Sequence, residues 1–239
     1  MKRTGLGATA AILAAGVLTA LPGADAATVD HTRPFKVADL KVEINATDGD
    51  AGLQVFLDDD AWKEIRIVNP HGSVLAGMQA RGDLKDYGLT ELFSESSEPP
   101  FDEFPLAEFK KLFPEGTYVF SGVLVDGTKL RSEVPLTHDF PDGPTILAPV
   151  EGGELALAEV VVRWEPSLRT PPDVEIVGYQ VIVVREDGAR SMEADLASSA
   201  RTFHVPVEFL ESGTEYKVEV LAIETSGNQT LTEVAFSVR

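Results

Sequence analysis

The chain has 239 residues, a hydrophobic fraction of 44%, no cysteine and a formal net charge of −19. That length and apolar content allow one large or two modest globular cores and exclude a disordered chain, while the missing thiols exclude disulfides, thiolate metal centres and lipidated cysteines. Such acidity repels nucleic acid and anionic membranes and favours cationic partners. The charges are scattered, with no acidic run longer than Asp58-Asp59-Asp60, so plain solubility is the competing explanation.

At the start of the chain, Lys2 and Arg3 precede an apolar stretch from Leu6 to Leu21, then Pro22, Gly23 and Ala24-Asp25-Ala26. This is the pattern of an export signal over residues 1–26 with cleavage after Ala26, and its apolar part is too short and too rich in Ala and Gly for a membrane anchor. The mature chain is expected in the periplasm or the medium, without membrane insertion, and the short Ala-rich signal suggests a bacterial source. Residues 27–36 carry no period and are expected to form a flexible segment.

From Val37 the two-residue period of half-buried strands sets in. Leu40, Val42 and Ile44 alternate with Lys41, Glu43 and Asn45, a break follows over residues 47–52, and Leu53, Val55 and Leu57 resume the pattern. Residues 65–68 and 73–76 flank Asn69-Pro70-His71-Gly72 as a second hairpin. Between Gly82 and Ser94 the spacing of Leu84, Tyr87, Leu92 and Phe93 predicts one face of a short helix, with Gly88 as its weak point. The stretch Gly82 to Pro105 is otherwise irregular and is where a loop-borne function would sit. Pro105 suits the first turn of a helix whose Leu106, Phe109 and Phe113 face inward. A hairpin through Tyr118, Phe120, Leu124, an Asp126-Gly127 turn, Leu130 and Val134 closes the first domain near Phe140.

In the second half, Phe203 to Thr230 reads as an apolar strand, a tight corner and a strand entered through Gly213-Thr214-Glu215-Tyr216. It resembles the E–F corner of a fibronectin type III domain, in which a tyrosine hydroxyl reaches back to upstream backbone; the resemblance gives that structural part to Tyr216. It extends over residues 142–239. Val160 to Pro166 looks like the second strand, with Trp164 in the place of the core tryptophan, and Gly178 to Val184 looks like the third. The family implies a binding or spacer module and brings no catalytic residues. Residues 112–125 (LFPEGTYVFSGVLV) repeat the logic of residues 209–222 (FLESGTEYKVEVLA), so Tyr118 and Tyr216 stand about 100 residues apart, the length of one immunoglobulin-like sandwich. The expected fold is therefore all-β: two tandem immunoglobulin-like β-sandwiches, residues 37–141 with short helical insertions and residues 142–239 fibronectin type III-like. Chance likeness between β-hairpins is the alternative.

Several motifs compete with simpler readings. Asp48 and Asp50, with Asp58, Asp59 and Asp60, are expected on loops flanking one strand and could hold Ca²⁺ through hard oxygen ligands, but loops at opposite ends of a strand lie about 20 Å apart, Asp48 to Gly52 lacks the third acidic ligand and distal glutamate of an EF-hand loop, and Asp-Gly is also ordinary turn chemistry. Otherwise no cofactor is expected. Arg81-Gly82-Asp83 spells an integrin-recognition tripeptide, although in fibronectin the tripeptide occupies the loop between the last two strands, here residues 224–229; a turn opening a helix is the simpler reading. Asn45-Ala46-Thr47 and Asn228-Gln229-Thr230 are glycosylation acceptors in form. His31, His71, His138 and His204 lack a second histidine at ligand spacing, and neither a GxSxG elbow nor a phosphate-cradling glycine loop is present, so no enzyme is expected. The reading that follows is an exported, non-enzymatic binding module for a protein or glycan, engaged through sandwich loops or edge strands. A structural spacer of the cell envelope is the alternative, and a hydrolase a distant third.

Overall fold

The alternation that marks half-buried strands in the sequence is borne out by which side chains are buried. In the computed structural model, which describes residues 32–239, Leu40, Val42 and Ile44 are buried and Asp39, Lys41 and Glu43 are not. The expected export signal, residues 27–31 and with them His31 lie outside the described residues.

The first half contains β1 (Thr32–Arg33), β2 (Val37–Asn45), β3 (Asp50–Val68), β4 (Val74–Gln79), α1 (Leu84–Tyr87), β5 (Leu89–Glu95), α2 (Leu106–Leu112), β6 (Gly116–Leu124) and β7 (Lys129–Leu136). The second contains β8 (Thr145–Ala148), β9 (Gly153–Leu155), β10 (Val161–Glu165), β11 (Ile176–Arg185), β12 (Ser191–Ala197), β13 (Thr202–His204), β14 (Thr214–Glu224) and β15 (Gln229–Val238). The fold is all-β. Each half has its own apolar core: one around Trp62, Tyr118 and Phe120, the other around Trp164, Tyr179 and Tyr216.

Both tyrosine corners are present. The Tyr118 hydroxyl donates to the Pro114 carbonyl at 3.1 Å, and the Tyr216 hydroxyl accepts from the Glu211 N–H at 2.8 Å. Each ring is buried, so a polar tip on a core aromatic is satisfied by backbone four or five residues upstream. Trp164 is likewise buried, 5.6 Å from the Tyr179 ring.

Three expectations need correction. The acidic residues Asp58 to Asp60 do not lie on a loop but inside β3, where the register shifts between Asp58 and Trp62. There β3 bends, so that its first part pairs with β2 and β5 and its last part with β4 and β6. Asp59 tolerates burial at the bend because it is fully engaged: the Arg33 guanidinium donates to both its oxygens, at 2.9 and 2.5 Å, and the Lys36 and Asp60 N–H groups donate at 3.1 and 2.6 Å. Burial alone would raise its carboxyl; these donors hold it below the ordinary range.

The same contact corrects the reading of residues 32–36 as part of a flexible segment. Thr32 and Arg33 pair in parallel with Lys129 and Leu130, and Phe35 is buried in the first core, its N–H donating to Ser132 Oγ at 3.0 Å. An apolar ring and an ion pair from the part-exposed Arg33 to the buried Asp59 suffice to anchor a stretch too short to show a period. Finally, the helix expected from Gly82 to Ser94 is confined to α1, and Leu89 to Glu95 form β5 against β3. Gly88, with φ at +87°, is where helix gives way to strand.

The two halves share one sheet, ordered β1-β7-β6-β3-β2-β15-β14-β11-β12, with β4 and β5 on β3 and β9 on β15; β13-β10-β8 form a second sheet. The link is a parallel pairing of β2 with β15 over only three residue pairs, Glu43 with Gln229, Ile44 with Thr230 and Asn45 with Leu231. Polar groups reinforce it. Asn228, 1% exposed, accepts from the Val42 N–H at 2.9 Å and donates to the Thr137 carbonyl at 3.1 Å and the Thr137 hydroxyl at 3.0 Å. The Thr230 hydroxyl donates to the Pro141 carbonyl at 2.7 Å. Glu224, also buried, receives the Ser226 and Asn228 N–H groups at 2.8 and 3.1 Å and so shapes the turn that delivers Asn228.

Phe35→Ala should destabilise the chain by about 3–5 kcal/mol through lost burial and a cavity. Urea denaturation checks this, and a neutral variant would return residues 32–36 to the status of a dispensable tail. Asn228→Ala orphans the buried Val42 N–H and should cost about 1–3 kcal/mol. In the same measurement Asn45→Ala, at the half-buried end of β2 where the side chain caps the following turn, should cost less; equal costs would show that water replaces the Asn228 amide.

Candidate functional site

β2 meets β15 only at its C-terminal end. Toward its N-terminal end it stands apart from the loop between β14 and β15, and a cleft of about 710 Å³ opens between the two halves. One wall is built by Lys41 on β2, Phe56 on β3 and Phe93 on β5; the other by Val177 and Gln180 on β11 with Gln229 on β15. Phe93 is 60% exposed and Val177 48%, which puts apolar surface on both walls in front of buried amides of Gln54 and Gln229. Concave apolar surface with a few convergent polar groups is the arrangement that binds ligands or partner side chains.

Beside the cleft lies a carboxylate cluster. Glu43 on β2, Glu95 on β5 and Glu98 just beyond it bring carboxylate oxygens within 4.8 Å of one another. Neighbouring amides hold two of them: Gln54 Nε2 donates to Glu95 Oε1 at 2.7 Å, and Gln229 Nε2 donates to Glu43. Lys41 Nζ donates to Gln229 Oε1 at 3.1 Å, and its charge acts on Glu43. Glu98 lies over Gly52, where a Cβ would overlap its carboxylate. Glu98 keeps an exposed side, but partial desolvation of its carboxyl, followed by the negative charges of Glu95, Asp50 and Glu43, pushes it up to about 7. Burial also raises Glu43, against the opposing hydrogen bond from Gln229.

The structure does not bring Asp48 and Asp50 into this cluster or into another group of three ligand-spaced carboxylates among the described residues. Asp48 accepts from Asn45 Nδ2 at 3.2 Å, while Asn45 Oδ1 receives the Thr47 and Asp48 N–H groups at 2.9 and 3.1 Å. That is an Asx-type turn. Sequence reasoning missed Glu43, Glu95 and Glu98 because they come from strands distant in sequence and because β5 was expected to be helical. The alternation of Glu91, Phe93 and Glu95 with Leu92 and Ser94 was the signal available.

The other motifs have plain places. Arg81-Gly82-Asp83 is exposed in the turn that opens α1, with the Lys85 N–H on the Gly82 carbonyl at 3.1 Å. The side chain of Asn228 is buried and engaged at the junction, which removes it as a glycan acceptor in the folded chain. His138 Nε2 lies 2.9 Å from the Phe113 carbonyl, His71 is exposed in a turn, and His204 is exposed on β13.

With two apolar cores, tyrosine corners and a three-stranded sheet facing β11, β14 and β15, the class is an all-β protein of sandwich type. The Fibronectin type III domain family model matches residues 154–238, and those residues form a fibronectin type III domain. β8 lies upstream of the matched stretch and completes the three-stranded sheet. Among solved structures, the two-domain fibronectin type III segment of chicken tenascin is similar at 14% identity and a TM-score of 0.30, covering 83% of this chain and 97% of that one. No curated protein is significantly similar to the chain.

In the folded chain Glu98 keeps its proton to about pH 7, while unfolded it loses it near 4.5, so the folded state binds the extra proton between these values. Stability should fall as pH rises across this interval and level off above it. Glu98→Gln should remove that fall, so the variant gains on the wild type as pH rises. Urea denaturation from pH 4.5 to 8 checks this; a pH-independent difference would show an ordinary, solvated carboxylate at position 98.

Proposed function

We propose that this protein is an exported, non-enzymatic interaction module, with units 37–141 and 142–239 held in fixed relation, and that it engages a protein or glycan at the cleft between them. The observation that carries this reading is the pair of exposed apolar side chains, Phe93 and Val177, facing the cleft from opposite halves. Fibronectin type III domains commonly serve as interaction or structural modules, which supports the general class. No helix of the described residues is long and apolar enough to cross a membrane, in keeping with an exported chain. No cofactor is part of this proposal.

A second reading, that of a rigid envelope spacer, is favoured by the continuous sheet and the buried polar junction, which fix one half to the other. Capture from native envelope extract and glycan-array binding with residues 27–239 separate the two. Under the interaction reading a specific component is retained by the wild type and lost with Phe93→Ser plus Val177→Ser. Retention unchanged in that variant would move recognition away from the cleft, and no retention in either assay would favour the spacer.

A further inference from the structure

The first sandwich is left open along one seam. On one flank of β3 its strands lie end to end, β5 against residues 54–62 and β4 against residues 64–68, and among the described residues each pairs with β3 alone. Their outer backbone edges are therefore available for a further strand. Because β3 bends between them, the core-facing residues of β4 and β5 look toward each other across a gap instead of closing it. Val55, Ile65 and Ile67 of the core form the floor, Ala76 and Met78 one lip, Leu92 and Ser94 the other, around an apolar slot of about 230 Å³. Met78 is 42% exposed although its cross-strand partner, Ile65, is buried.

The two lips differ in charge. β4 carries no charged residue, whereas β5 carries Glu91 and Glu95 on its outward face, with Asp58 directly across from Glu91 and Glu43 and Glu98 clustered on Glu95. Lys41 is the cation facing this group from β2, and its ammonium is shared with Gln229. A second copy of the chain pairing through β5 would set glutamates of one edge against glutamates of the other, an unfavourable arrangement between two molecules that each carry a charge of −19.

We propose that the free edge of β5 is a docking site for an extended, basic segment of a partner protein, which adds to the sheet as a strand, sends alternate aliphatic side chains into the slot between β4 and β5, and sets Lys or Arg against Glu91 and Glu95. Backbone hydrogen bonds along the edge supply affinity, and the slot and the glutamates select an apolar and basic alternation. The inference rests on the interaction reading but uses the outer edge of β5, whose Phe93 borders the cleft, instead of the far cleft wall around Val177.

The test uses residues 27–239 and a synthetic peptide alternating Val or Leu with Lys, followed by fluorescence anisotropy and by hydrogen exchange of backbone amides. The peptide is expected to bind, to slow exchange in β5, and to lose at least tenfold in affinity with Glu91→Lys plus Glu95→Lys and with Met78→Asp. Val177→Ser, on the far wall of the cleft, should leave this binding within about twofold. Equal binding of a scrambled peptide of the same composition, or unchanged affinity in the charge-reversed variant, would reduce the effect to general attraction by an acidic protein and overturn the proposal. So would protection of β4 and β5 that appears with rising protein concentration alone, which would assign the seam to a second copy. Loss of partner capture with Val177→Ser, with capture intact in Glu91→Lys plus Glu95→Lys and in Met78→Asp and no peptide binding, would sink this proposal and leave the interaction reading standing.

Discussion

The parallel pairing of β2 with β15 is the contact on which the rest of the arrangement depends. Three residue pairs of parallel ladder are a weak joint by themselves. What strengthens it is that each polar group buried there has a partner, above all the Asn228 amide, which is bonded to both Val42 and Thr137. A buried polar network of this kind is favourable only when complete, because a missing member leaves its neighbours dehydrated and unpaired. The joint therefore has one geometry, and the sheet runs through both halves without a break.

This joint also decides where recognition can occur. The loop between the last two strands of the fibronectin type III domain is a natural place for a binding motif, yet here residues 224–228 are folded into the junction. Surface available to a partner is found instead on the cleft walls and along the open seam of the first sandwich. Electrostatics follow the same division. Asp59 sits among donors and is held in its charged form, while burial, with neighbouring carboxylates, pushes Glu43 and Glu98 toward their protonated forms. The first arrangement stabilises a bend; the second leaves negative charge that a cation or basic chain could neutralise.

Much of the fold was legible in the residues because strand alternation, turn glycines and the Gly-Thr-Tyr and Gly-Thr-Glu-Tyr steps are local signals. They determined the all-β class, the buried places of Trp164 and Tyr216, and the fibronectin type III character of the second half. Local signals failed where two neighbours in space are distant in sequence. Nothing near Asp59 announces Arg33, and without that ion pair an acidic triplet reads as a loop. Leu89 to Glu95 has helical spacing of its apolar residues, and only the edge of β3 makes it a strand. The Glu43, Glu95 and Glu98 cluster, the cleft and the seam arise from chain segments that no sequence period connects. The sequence by itself thus determined the class of the protein and its cores, since burial of alternating side chains is a local pattern. Tertiary structure alone decided the junction and the candidate sites, because these depend on hydrogen bonds and charges meeting across strands far apart in the chain.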